Sequence, residues 1–146
     1  IPDVDRTDPK VARAGATAFL ALGGDRGAVE VVVRALARPW DADLAVLYAQ
    51  CRTADPTAQL ETAERWLLAH NTDATLLYAL GRLCERESLW GKAQTYYEAS
   101  LALDTHWRTQ VALGELLARL DRHDEANVHL AAALKLTLAT LESRKP

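Results

Sequence analysis

The chain has 146 residues, of which 49% are hydrophobic and 25% charged, with a net charge of −3. That length can bury a continuous core, and the composition is too apolar for disorder. No block of like charge marks a nucleic-acid footprint, and no apolar run is long enough to span a bilayer: Val31–Val33 is cut by Arg34, and Leu130–Leu141 by Lys135 and Thr137.

Asp8-Pro9 reads as an N-cap followed by a first helical residue, predicting a helix over 8–22 that Gly23-Gly24 stops. Helices are expected next over 25–38 and 41–52. Asp55-Pro56 repeats the cap-and-proline signal ahead of a helix over 56–70, with Asn71 as its stop. Asp73 and Ser88 read as the N-caps of helices over 73–86 and 89–103, and helices over 106–120 and 123–141 complete the set. No segment alternates with the two-residue period of a strand. Short loops between the helices predict antiparallel neighbours.

A fixed period runs through these elements. Leu77-x-x-Leu80-Gly81-x-x-Cys84 followed by Ala93-x-x-x-Tyr97 recurs 33 residues later as Gln110-x-x-Leu113-Gly114-x-x-Leu117 followed by Ala126-x-x-x-Leu130. This is the spacing of the tetratricopeptide repeat, with Gln110 as the one polar residue at a large apolar position and Trp90 where the consensus has Tyr. Weaker copies lie upstream, so the small position of the first helix steps Ala16, Tyr48, Gly81, Gly114. A small residue there lets two helix backbones approach closely. Tyr48 breaks that rule and predicts a splayed or shifted crossing. Its distance to the second-helix Ala63 is 15 residues against 12 in the other copies, which places about three extra residues between Thr53 and Gln59. The fold class is therefore all-α: an α-solenoid of antiparallel helix pairs, about eight helices, in one repeat domain over 1–146. Its repeats run over 9–40, 41–73, 74–106 and 107–141, with a tail at 142–146.

The first helix of each repeat lines the binding surface of such a solenoid. Opposite the packed positions of the third repeat lie Thr75, Tyr78, Arg82, Glu85 and Arg86. The same face carries Lys10, Arg13 and Thr17 in the first repeat, Ala45, Ala49 and Arg52 in the second, and Arg108, Val111, Glu115 and Arg119 in the fourth. The candidate partner-binding groove is thus Arg13, Arg52, Tyr78, Arg82, Arg86, Arg108 and Arg119, against Glu85 and Glu115. Guanidinium groups beside a Tyr suit an acidic peptide or a carboxylate. The plainer alternative is a solvated face with i,i+4 ion pairs. No catalytic set, phosphate loop or metal-ligand spacing stands out, so no enzyme activity, catalytic residue, metal or resident cofactor is expected.

The remaining notable side chains read as structural. Cys51 and Cys84 fall at one repeat position where the consensus has a buried large residue, and two cysteines without a C-x-x-C pair suit a reducing cytosolic setting. Neither precedes a Pro. His70, His106, His123 and His129 have no i,i+4 partner, and Trp40, Trp66, Trp90 and Trp107 read as inter-repeat packing. Leu134, Leu138 and Leu141 form a helical stripe that either folds over the last repeat or pairs with a second copy. The chain begins with Ile1 and has no Met, so an excised domain or processed product is expected; neither end looks like a signal peptide.

Residues 76–101, namely Leu76 to Cys84, Leu89-Trp90-Gly91-Lys92-Ala93 and Tyr97 to Leu101, together with Pro39-Trp40-Asp41 and Asp55-Pro56, resemble the C-terminal region of the HemY family. These are tetratricopeptide proteins of proteobacteria associated with haem biosynthesis. The resemblance implies a membrane anchor preceding this domain, an inner-membrane location with the domain on the cytoplasmic side, and a partner among the enzymes of late protohaem synthesis. The flavin-dependent protoporphyrinogen oxidase of the same name would need a G-x-G-x-x-G motif that this chain lacks. Three functions are open at this level. The first is a protein-interaction scaffold using the groove. The second is a haem or tetrapyrrole-binding protein whose arginines meet propionates. The third is a self-assembly module using the leucine stripe.

Overall fold

Aspartates open three of the helices by lending a carboxylate to backbone N–H groups that have no intrahelical partner. Asp41 accepts from Asp43, Asp55 from Ala58 with Pro56 at the first helical position, and Asp73 from Thr75 and Leu76. In the computed structural model, which describes residues 9–21, 23–36 and 40–144, the elements are α1 (Pro9–Ala21), α2 (Asp25–Leu36), α3 (Ala42–Gln50), α4 (Pro56–Ala69), α5 (Ala74–Arg86), α6 (Trp90–Leu103), α7 (Trp107–Arg119) and α8 (His123–Ser143). No strand occurs among the described residues. The expected cap at Asp8 lies outside them. The all-helical solenoid is the fold.

Ser88 is not an N-cap. It sits at φ 59°, in the left-handed region, as the residue just past α5. Leu89 N–H reaches back to Cys84 O and Ser88 N–H to Glu85 O, each at 2.9 Å, which closes the helix with a Schellman turn. Thirty-three residues on, Asp121 (φ 60°) ends α7 the same way, with Arg122 bonded to Leu117 and Asp121 to Ala118. Both stops were hidden in the sequence because glycine, the usual occupant, is absent from them.

Within the third and fourth repeats the two helices cross at glycine. A methyl group on Gly81 would overlap the Tyr97 ring, and one on Gly114 would lie 2.7 Å from Leu130. The core runs continuously from Ala16 through Val32, Leu44, Leu76, Leu80 and Leu113 to Ala126. Cys51 and Cys84 are fully buried within it, as expected. Gln110 is buried too, and His129 of α8 meets its side-chain oxygen at 2.7 Å. That pairing explains a polar residue at a consensus apolar position.

The second repeat departs from this pattern where Tyr48 predicted it would. α3 packs mainly on α5, and much less on its own partner α4. The connection is longer, at five residues (51–55) against three in the third and fourth repeats (87–89 and 120–122), but it begins and ends ahead of the expected stretch between Thr53 and Gln59. α3 stops early at Gln50, and α4 begins early at Pro56 with an added turn that takes up the rest. From that turn the buried Gln59 side chain donates to Tyr48 O at 2.7 Å and Cys51 O at 3.0 Å. The wedge is filled by Tyr48 against Trp66 (4.8 Å between centroids), and Trp66 against Trp40, which stacks on His70 at 4.0 Å. Trp90 packs partly on the core with Trp40 and Trp66, but Trp107 is 44% exposed and does not join them there. It sits at the first turn of α7, beside the cap residue His106.

α8 overruns the expected tail, continuing to Ser143 because nothing in Leu141-Glu142-Ser143 breaks a helix. It does not curl back as its own cap. Leu134, Leu138 and Leu141 are exposed, at 59%, 49% and 53%. In the third repeat the matching residue to Leu134 is Leu101, which packs on the core.

Relieving the left-handed strain should stabilise the fold. Ser88→Gly and Asp121→Gly are each expected to raise the unfolding free energy by roughly 0.5–1 kcal/mol. Urea denaturation followed by circular dichroism reads this directly; an unchanged or lowered midpoint would show that these turns are not strained.

Candidate functional site

The groove is built from the first helices of three repeats. Val46, Ala49 and Gln50 of α3, Tyr78, Arg82, Glu85 and Arg86 of α5, and Arg119 of α7 line a cavity of about 320 Å³. A second cavity of about 320 Å³, lined by Arg52, Thr53, Pro56 and Arg86, adjoins it through Arg86. A third, smaller one shares Tyr78 and includes Asp43, Thr75, Asp104, His106 and Arg108. All seven predicted groove residues therefore fall along one connected surface, since Arg13 binds the Asp43 carboxylate at 2.9 Å at the far end.

Their partners differ, and this divides them by role. Arg86 donates to Cys51 O and Ala49 O, both at 2.6 Å, and so closes the carbonyl end of α3 from α5. Arg13 is held by Asp41 and Asp43. The Arg108 guanidinium lies over the Tyr78 ring at 4.8 Å, and Arg119 over Trp90 at 5.5 Å while reaching Glu85 at 3.4 Å. Arg52 and Arg82 have no carboxylate within ion-pair distance among the described residues. Burial works against the Arg82 charge, but Tyr97, Tyr78 and Glu85 outweigh it and hold its pKa above the usual value. Arg86 goes the other way, lowered by burial and then by the nearby Arg52 and Arg82 charges.

Beneath the groove floor lies a contact that the sequence did not show. Tyr97 of α6, fully buried, passes the crossing at Gly81 and donates its phenol proton to Glu85 at 2.5 Å. Burial, and then the Glu85 carboxylate, push the Tyr97 phenol far above its ordinary pKa. Tyr97 and Arg119 together occupy both Glu85 oxygens, so the groove's acid is already engaged. Val46 and Gln50 are lining residues missed by sequence reasoning, because α3 presents the stripe Val46, Ala49 and Gln50 to the cavity where the repeat register pointed to Ala45, Ala49 and Arg52. Glu115, expected in the groove, is exposed and does not line any of the three cavities.

The lining holds no His or Cys that could ligate a haem iron in the main cavity. Among the described residues no group of three or more His, Cys, Asp or Glu could hold a metal ion. None of the described helices is long and apolar enough to cross a membrane. Burial pushes both thiols up to about 11, with Asp25 adding to the effect at Cys51.

No family model matches the chain, and no curated protein sequence matches it. Solved structures do. A crystal structure of MamA aligns with a TM-score of 0.69 and 15% identity over 96% of this chain and 83% of that one. MamA from residue 41 to the end, of Desulfovibrio magneticus RS-1, aligns with a TM-score of 0.65 and 22% identity over 91% and 77%. At these identities the likeness establishes the helical-repeat fold, and it supplies no support for the HemY family in particular.

The raised thiols set an alkaline limit. An unfolded cysteine ionises near 9.0 and these near 11, so the stability that the neutral thiols supply is complete below pH 9 and is lost as pH rises toward 11. The denaturation midpoint should fall across that window. Below it, both thiols should react with a disulfide reagent only as fast as the protein unfolds; fast labelling of folded protein at neutral pH would contradict their burial.

Proposed function

We propose that this chain is a non-catalytic protein-interaction scaffold whose partner docks in the groove between α3, α5 and α7. The observation that carries this reading is the run of joined cavities along the first helices, with arginines as its dominant side chains. Solenoids use this surface for extended partners. The chemistry favours recognition over turnover: the one carboxylate lining the main cavity is tied to Tyr97 and Arg119, and no nucleophile stands beside a base there. A partner in late haem biosynthesis at the bacterial inner membrane is the finer form of the proposal, and it rests on the resemblance of residues 76–101 alone.

Affinity capture from detergent-solubilised membranes of the source organism tests the docking surface. Gln50→Trp fills the cavity without changing charge, Arg82→Glu reverses a cation that has no ion pair among the described residues, and Leu68→Glu alters an exposed residue that does not line it. Wild type and Leu68→Glu should retain the same partner and the two groove variants should lose it. Identical capture by all four baits would place the docking site elsewhere. Arg86 is unsuitable as a control because its loss would unseat the end of α3.

The exposed face of α8 favours self-association as a second reading, because Leu134 and Leu138 stand open to solvent where the equivalent Leu101 packs on the core. Sedimentation should then show a concentration-dependent dimer that Leu134→Glu/Leu138→Glu abolishes, whereas a monomer at high concentration would exclude it.

A further inference from the structure

We propose that the groove's occupant is a linear acidic peptide segment that carries two carboxylates, one met by Arg82 and the other by Arg52, with an apolar side chain seated beside the first. This rests on the docking reading above and gives it a chemistry. The two cavities that share Arg86 hold four guanidinium groups, Arg52, Arg82, Arg86 and Arg119, against a single lining carboxylate, Glu85. Two of the four are satisfied from within the fold. Arg86 is turned onto the carbonyls of Ala49 and Cys51, and Arg119 is paired with Glu85. Arg82 and Arg52, the two without an ion pair among the described residues, stand in the two cavities on either side of Arg86.

Arg52, Arg82 and Arg86 repel one another, and Glu85 and Asp25 offset this only in part, since burial and then the Arg52 and Arg82 charges leave the Arg86 pKa lowered. An arriving carboxylate relieves that repulsion while gaining a charge-assisted, planar hydrogen-bonding partner. The apolar contact is set by Val46 and the Tyr78 ring, which share the first cavity with Arg82. Each cavity takes a side chain, not a duplex or a headgroup array. The chain as a whole carries −3, and its other cations are scattered along the sequence, with Arg13, Lys92 and Arg122 paired to carboxylates, so a polyanion that tracks a long basic stripe has nothing continuous to follow. Two separated cations read the spacing of acids in a sequence, and that is where specificity would lie.

Fluorescence anisotropy on the full chain tests this with a synthetic fluorescein-labelled peptide series. Two glutamates flank a leucine at spacings from near neighbours to a full helical turn, and matched peptides carry glutamine at one or both acids. The best two-glutamate peptide should bind roughly tenfold tighter than either single-glutamine form, and more weakly as salt is raised. Arg82→Gln and Arg52→Gln, both at exposed positions, should each reduce it to the single-glutamine level, and the loss from each should be smaller on the peptide that lacks the corresponding acid. Circular dichroism confirms that the variants fold. Equal binding of glutamate and glutamine peptides, no binding by any of the series, or indifference to both substitutions would overturn the assignment. So would tighter, Arg82-dependent binding of a dicarboxylate porphyrin. If the capture experiment shows a groove-dependent partner while the peptides fail, the acid-pair chemistry is wrong and the docking surface stands. If the peptides bind as expected and no partner depends on the groove, the chemistry holds and the scaffold reading fails.

Discussion

Gly81 has no side chain, and the ring of Tyr97 occupies the space where one would be. That single close approach of α5 and α6 carries consequences on both sides of the sheet of helices. On the packed side it fixes the depth of the third repeat and, through the equivalent pair Gly114 and Leu130, of the fourth. On the open side it lets a phenol from a second helix reach a carboxylate on the first, which in turn orients an arginine from the next repeat. A larger residue at Gly81 would separate the helices, withdraw Tyr97 and leave the half-buried Glu85 with Arg119 alone, the loss of a hydrogen bond to a charged group whose typical size is about 1.5–3 kcal/mol. Core packing and the electrostatics of the groove are thus one arrangement seen from two faces.

The second repeat solves the same packing problem without a small residue. Tyr48 wedges α3 away from α4, and the backbone accommodates by ending one helix early and starting the next early. A shortened helix leaves carbonyls unpaired. Gln59 takes those of Tyr48 and Cys51 from the α4 side, and Arg86 takes those of Ala49 and Cys51 from the α5 side. The irregularity creates the site: because α3 stops at Gln50, the space that its next turn would fill becomes the cavity between Arg82 and Arg52.

Much of this was legible from residue spacing. The 33-residue recurrence located the helices to within a residue or two, since small-residue crossings and aspartate caps are local signals. Tyr48 announced the splay by its size alone. The face opposite Leu77, Leu80 and Cys84 gave the arginine row, because a helix surface follows from its period. What stayed hidden depends on contacts between elements. Ser88 has the composition of a cap and the backbone of a stop, and only the bonds from Leu89 and Ser88 back into α5 distinguish them. Arg86 and Arg82 are four residues apart on one helix and look equivalent in sequence, yet one is a structural tie and the other faces the cavity. Trp107 resembles its three counterparts in type and differs in exposure, since it lies on the uncovered face of the first turn of α7 while Thr109 and Gln110 turn inward.

The wedge at Tyr48 also bears on how the chain holds together as a linear lattice. In a regular solenoid each helix pair is a unit with its own stability, coupled to the next pair through an interface. Here α3 leans chiefly on α5 and its last carbonyls are held from outside, so the intrinsic term of the second unit is small and its coupling term large. The natural boundary shifts by one helix. α3 should melt with the third repeat, while α4 rests on α5 by way of its own contacts and on α6 through the Glu64 carboxylate, which binds both Lys92 and Tyr96. The cooperative block then spans the whole middle of the array, and the residues that line the groove order or disorder as one.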